Sequence, residues 1–233
     1  IITDVDTSDK KLSDLTSSDL SWGSASLKEG QTDLDLGSGN LVLNNPESNQ
    51  GSFVSTSDGS VGNITMDKDA NLALNGTGSI GNVNTTENGT GDILIGNDKS
   101  GSVTANNLGS EDKAFGSVSV GAGSSVTVKN ILNAAKVALE KKAEVIASVI
   151  NSPELKAIGD DIKIKAENSV LGGLLSGNNS TLESKTLELA DNFNVLGGAK
   201  VKAKNLTLKG KMLFADPDWN SNASSVVANN LSG

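Results

Sequence analysis

Cysteine, histidine, tyrosine and arginine are all missing from this 233-residue chain, and aromatic residues make up only 3% of it. Without cysteine there is no disulfide framework and no thiolate metal site. The same absence fits a chain that must cross an oxidising periplasm unfolded. Without histidine the commonest general base and metal ligand is gone, and no Ser-His-Asp triad can form. A compact core ordinarily leans on aromatic side chains for buried area, so a compact enzyme is a poor fit. No stretch of the given sequence reads as a signal peptide or a membrane span. Ile1 is not an initiator methionine, and Asn230-Leu-Ser-Gly233 has no stop logic, so a piece of a longer chain is expected.

What the chain has is glycine, asparagine, serine and short aliphatic alternations. Glycine accounts for 26 residues, above the usual share of roughly 7%, as tight turns require. A disordered Gly/Ser/Asn tract is the alternative, but 36% of residues are hydrophobic and fall in alternating runs. Two copies of one phrase, Gly59-Ser-Val61-Gly-Asn63-Ile64 and Gly78-Ser-Ile80-Gly-Asn82-Val83, stand 19 residues apart. Leu72 and Ile93 are 21 apart; Leu187 and Leu206, and Val195 and Phe214, are 19 apart. Ile162-Lys-Ile164 with Val170-Leu-Gly-Gly173 returns as Leu187-Glu-Leu189 with Val195-Leu-Gly-Gly198, 25 residues on. Units this short cannot bury an apolar face alone and must stack on one another. The expected fold is therefore all-β, a right-handed parallel β-helix (β-solenoid) with three short strands per coil and about nine or ten coils; the hand follows from the general preference of parallel connections. Asn-Gly at 75–76 and 88–89 keeps an antiparallel hairpin array open as a rival, but hairpins would not hold one phrase at a near-fixed offset.

The pattern changes at residue 129. Leu132, Ala135, Leu139, Ala143, Ile146 and Ile150 recur at spacings of three and four, the stripe of an amphipathic helix. Ser152-Pro153-Glu154 reads as a cap opening a second short helix that Gly159 stops. The spacing predicts a helical insertion at about 130–158, packed on the flank of the rod or, alternatively, active toward a membrane or partner. Three parts follow: N-terminal coils over 1–128, with little strand periodicity in 1–32; the insertion over 129–159; and C-terminal coils over 160–233.

Charge is uneven. Residues 1–128 hold 17 acidic side chains and 6 lysines, whereas 129–233 hold 11 acidic and 13 lysines, within a net charge of −9. That balance opposes nucleic acid and anionic membranes as partners. The acid pairs Asp4/Asp6, Asp33/Asp35, Asp67/Asp69, Asp160/Asp161 and Asp216/Asp218 raise the possibility of a carboxylate-driven polysaccharide hydrolase. With no arginine or histidine beside them to position a polyanion or stabilise developing charge, no catalytic residue is assigned and no enzyme is expected. Asp67-Lys-Asp69-Ala-Asn71 resembles half of an EF-hand loop, but Leu72 stands where glycine is needed and Gly78 where the bidentate glutamate belongs. Neither a metal site nor a cofactor is expected. Two surface groups remain as binding candidates. Asp216, Asp218, Trp219 and Asn220 combine an aromatic with acids and an amide that could stack on and hydrogen-bond a sugar, or simply cover a turn. Lys200, Lys202, Lys204, Lys209 and Lys211 form a possible basic stripe that could meet the acidic 1–35 region of another copy.

Repeats of Gly-Ser-[Val/Ile]-Gly-Asn and Val-Leu-Gly-Gly, the Cys-free acidic composition, and Phe214-Ala-Asp-Pro-Asp-Trp-Asn220 are similar to passenger domains of bacterial type V autotransporters, especially the large adhesin-like ones. The resemblance covers roughly 33–128 and 160–233. It implies export across the outer membrane to the bacterial cell surface or medium. The role it implies is adhesion to a host-cell receptor or glycan, or self-association, without membrane insertion by this segment. A plain stalk is the alternative role.

Overall fold

The computed structural model describes residues 2–3, 20–24, 41–43, 52–55, 59–96, 100–215 and 224–233, with side chains within 60–96, 100–213 and 224–233. Among these residues the chain forms eighteen strands and no helix. Short strands come first: β1 (Ile2–Thr3), β2 (Leu20–Ser24), β3 (Leu41–Leu43), β4 (Ser52–Ser55), β5 (Gly59–Val61), β6 (Ile64–Met66) and β7 (Asn71–Leu74). Next are β8 (Gly76–Thr85), β9 (Asp92–Ile95), β10 (Gly101–Leu108) and β11 (Phe115–Val120). Long bent strands follow: β12 (Ser125–Leu139), β13 (Glu144–Ile158), β14 (Lys163–Ser176) and β15 (Thr181–Leu196). Then come β16 (Lys200–Leu208), β17 (Met212–Ala215) and β18 (Ser225–Ser232).

Every pairing among them is parallel. The hairpin arrangement is thereby set aside, and the chain winds as a parallel β-solenoid of about eight turns. One column of partners runs Gly78, Val103, Val126, Val145, Ile164, Leu182, Val201 and Val226, so a coil takes between 18 and 25 residues. The repeated phrase stacks as its spacing predicts, with Gly59, Ser60 and Val61 beside Gly78, Ser79 and Ile80. Leu72 lies beside Ile93, Leu187 beside Leu206, and Val195 beside Phe214. The 25-residue echo is different. Ile164 lies beside Leu182, Val170 beside Glu188, and Leu171 beside Leu189. The echo therefore compares positions one coil ahead and one strand over; it is not a stacking register.

The helical insertion is overturned. Residues 130–139 belong to β12 and 144–158 to β13, with a turn over 140–143 between them; the two strands pair with each other and continue the ladder into β10, β11 and β14. The misleading spacing has a physical origin. Within a straight run, inward residues alternate by two, as Val145 and Ala147 do, but each corner inserts an extra residue or two before the next inward position. Buried Val128, Leu132, Ala134, Val137, Leu139 and Ala143 thus recur by two, three or four, and the longer steps imitate a helical stripe. Ser152 caps nothing: it is buried, and its hydroxyl donates to the Ala135 carbonyl of the preceding coil. Pro153 sits exposed where the register of β13 shifts, a place that tolerates a missing N–H. Gly159 is a coil corner (φ 147°), and a Cβ there would meet the Lys141 backbone at 2.7 Å.

The core is a column of aliphatic ladders. One ladder runs Ile64, Val83, Leu108, Leu132, Ile150, Ser169, Leu187 and Leu206, all buried. Ser169, the polar member, shares a 3.0 Å hydrogen bond with buried Ser184, whose hydroxyl also lies against the Thr186 carbonyl at 2.6 Å. A large side chain needs a small neighbour in so narrow a column: Phe193 stacks beside Gly173 (φ 116°), where any Cβ would collide with the Leu155 carbonyl. At one corner the left-handed backbone recurs coil after coil at Gly123, Lys142, Asp161, Asn179 and Gly198. Each is followed by a buried residue: Ser124, Ala143, Ile162, Ser180 and Ala199. No helix among the described residues is long and apolar enough to cross a membrane.

Helix and strand readings of 130–158 assign opposite roles to two adjacent residues. In the structure Val145 is 1% exposed and Ile146 is 36% exposed, whereas a helical stripe would bury Ile146. Val145→Ala should cost about 2 kcal/mol by urea unfolding, and Ile146→Ala should stay within about 0.5 kcal/mol. The reverse order would contradict the register of β13.

Candidate functional site

Strand alternation decides what the outer wall carries. In β14, Ile164 and Ala166 are buried while Lys163, Lys165 and Glu167 are exposed. In β15, Leu182 and Ser184 are buried and Glu183 and Lys185 exposed, with Thr181 half-buried. In β16, Val201 and Ala203 are buried and Lys200, Lys202 and Lys204 exposed. Parallel register stacks these outward residues in columns: Lys163, Thr181 and Lys200 in one, and Lys165, Glu183 and Lys202 in the next. Because Ala166, Ser184 and Ala203 are partners, Glu167, Lys185 and Lys204 continue the same register. Six lysines and two glutamates share one flat face.

Between the second and third columns runs a groove of about 260 Å³, with Ala166, Ser184 and Ala203 along its floor and Asn229 at one end. Among the described residues none of the six lysines forms an ion pair; the pairs present are Lys136–Glu154 at 3.9 Å and Lys209–Glu188 at 3.3 Å. Upstream coils carry hydroxyls on the same face. Ser102 and Ser125 are stacked partners joined at 3.1 Å, and Thr104 lies beside Thr127. The wall therefore changes from neutral to cationic along the rod.

The basic stripe expected from the sequence is split. Lys200, Lys202 and Lys204 lie together on the cationic face. Lys209 and Lys211 lie beyond the end of β16, where the Lys209 N–H donates to the Leu189 carbonyl and the Lys211 N–H to Asn192 Oδ1. In their place the stacking brings in Lys163, Lys165 and Lys185, which sequence reading missed. The signal was present as the 18- and 19-residue register, obscured by the 25-residue echo. Asp216, Asp218, Trp219 and Asn220 lie outside the described residues, as do Asp4/Asp6 and Asp33/Asp35.

A second groove of about 260 Å³ lies on another face, lined by Asn151, Asn168, Val170, Thr186, Glu188 and Asn205 among others. Its polar groups are largely engaged within the wall. Thr186 donates to Asn168 at 2.5 Å, Asn230 donates to Asn205 at 2.8 Å, and Glu188 holds Lys209. This belongs to an asparagine-rich corner column in which Asn107 donates to Asn82 and accepts from the Ile131 N–H. It reads as coil stapling. The acid pair Asp160/Asp161 is likewise structural: the two carboxylates accept from the Asn178 N–H and the Asn179 amide of the next coil, each at 2.9 Å. At the EF-hand-like stretch, the Ala70 N–H closes a turn onto the Asp67 carbonyl with Asp69 in the left-handed region. Among the described residues no group of three or more acidic side chains is placed to hold a metal ion.

Compared with known proteins, the chain matches no family model, no curated protein and no solved structure.

Exposed lysines without ion-pair partners contribute little to folding. Lys202→Glu, placed beside Glu183 in the same column, should therefore change the free energy of unfolding by no more than about 0.5 kcal/mol. Urea titration measures this, and a larger loss would reveal a structural role for the wall.

Proposed function

We propose that this chain is part of an exported bacterial surface adhesin, a passenger of the autotransporter type wound as a right-handed β-helix, whose outer wall does the binding. The observation that carries the proposal is the cationic face of β14, β15 and β16, with six lysines that form no ion pair among the described residues, on a chain of net charge −9. Local charge of sign opposite to the whole molecule, gathered on one flat surface, gives a partner a defined place and orientation. The solenoid supports export as well. Each coil packs on its neighbours alone, so a chain emerging in order can fold one turn at a time.

A second reading is self-association. It is favoured by the contrast between the acid-rich residues 1–128 and the lysine-rich residues 129–233, which would let the face of one copy meet the acidic region of another.

Beads coated with the full 233-residue chain should adhere to cells, and adhesion should weaken as salt shortens the Debye length from about 10 Å at 0.1 M toward 3 Å at 1 M. Sedimentation of the free chain over the same salt range separates the two readings: a monomer throughout excludes self-association. Beads that fail to adhere at any salt, coated with a chain that stays monomeric, would leave only a stalk.

A further inference from the structure

We infer that the groove between the Lys165–Glu183–Lys202 column and the Glu167–Lys185–Lys204 column is a binding site for a linear acidic polysaccharide; this deepens the adhesive reading and rests on it. Four features of the groove support the assignment. It is straight, because its walls are columns of stacked residues, and it runs along the rod axis across successive coils. Its floor is the backbone at Ala166, Ser184 and Ala203, whose small side chains turn inward, so an unbranched chain meets no bulky obstruction. Its cations come at intervals. Lys165 and Lys202 are two coils apart, roughly 9.6 Å at about 4.8 Å per strand, a spacing comparable to the length of a disaccharide. Its walls are of mixed sign: Glu183 stands between Lys165 and Lys202, and Glu167 heads the column of Lys185 and Lys204.

The mixed sign selects the ligand class. A polyanion without hydroxyl groups would have only anions to set against each glutamate. An acidic polysaccharide offers carboxylate or sulfate groups to the lysine ammoniums and hydroxyls, which donate hydrogen bonds, to the glutamates. A second copy laid face to face is disfavoured, because six lysines against two glutamates would repel their like.

The test uses the full chain with four immobilised polymers: alginate, dextran sulfate, neutral dextran and poly-L-glutamate. Alginate and dextran sulfate should bind, and neutral dextran should not. Lys185→Glu/Lys202→Glu/Lys204→Glu should weaken alginate binding at least roughly tenfold. Replacing the same three lysines by arginine should retain it, and Lys209→Glu/Lys211→Glu should change it less than about twofold. Glu183→Gln should weaken alginate binding while leaving poly-L-glutamate no weaker. Far-UV circular dichroism checks that each variant keeps its strands. Alginate binding indifferent to the triple reversal, or equally lost in the Lys209/Lys211 variant, would overturn the assignment. Poly-L-glutamate bound as tightly as alginate would overturn it in favour of an acidic polypeptide. If coated beads adhere to cells but no acidic polysaccharide binds, the groove assignment fails and the adhesive reading stands. If alginate binds through the groove but beads do not adhere, the reverse holds.

Discussion

Side chains of successive coils sit directly above one another inside the rod, and everything else in the structure follows from that superposition. The parallel ladder holds neighbouring coils at about 4.8 Å, so each buried residue packs against its partner above and below. Valine, isoleucine, leucine and alanine suit this spacing, whereas an aromatic ring needs a space made for it. Phe193 has one because its partner is Gly173, and Phe115 approaches Gly91, where an added Cβ would lie 3.2 Å from the ring. The scarcity of aromatics is thus a consequence of core geometry. The same geometry explains why one serine can enter the leucine ladder at Ser169: buried Ser184 satisfies it within the wall, which avoids the cost of an orphaned hydroxyl.

Because the inward positions alone define the coil, the outward ones are released from packing. Coils from β10 through β16 keep Val or a close relative inside while the stacked outward residue changes from Ser102 to Ser125, Glu144, Lys163, Thr181 and Lys200. Gathering lysines on one face is inexpensive in water. Two unit charges 7 Å apart repel by about 0.6 kcal/mol at the dielectric constant of water, before screening. Burying a single aliphatic side chain contributes about 1.5–3 kcal/mol. The ladders therefore hold a cationic wall at little cost to stability.

Legibility followed the same division between inside and outside. Repetition of a whole phrase, Gly59–Ile64 against Gly78–Val83, revealed the stacking because inward and outward residues recur together. Residues 130–158 were misread because corners break the period of two, and good helix formers such as Ala134, Ala135, Lys141 and Lys142 fill a stretch whose conformation is set by neighbouring coils. Of the basic stripe, Lys200, Lys202 and Lys204 were legible, since they alternate along one strand with Val201 and Ala203. Their companions Lys163, Lys165 and Lys185 were not, since they adjoin only through the winding. Lys209 and Lys211 follow in sequence but pass a corner, and nearness along the chain then means little.

The remaining question is how a chain of net charge −9 could hold a polyanion at all. The answer lies in distance. At physiological ionic strength the Debye length is about 8 Å, less than the separation of two coils from a ligand seated beside a lysine. Acidic residues in distant coils are screened, and the ligand responds to the charges within about one strand spacing of its own atoms. In the groove those charges are Lys165, Lys185, Lys202 and Lys204 against Glu167 and Glu183. Screened in this way, the distant acids leave the local attraction intact, whereas a ligand that settles against the acid-rich part of the rod meets their repulsion at short range. For the proposed ligand, the uneven charge would restrict binding to one place along the rod, which a uniformly basic solenoid could not do.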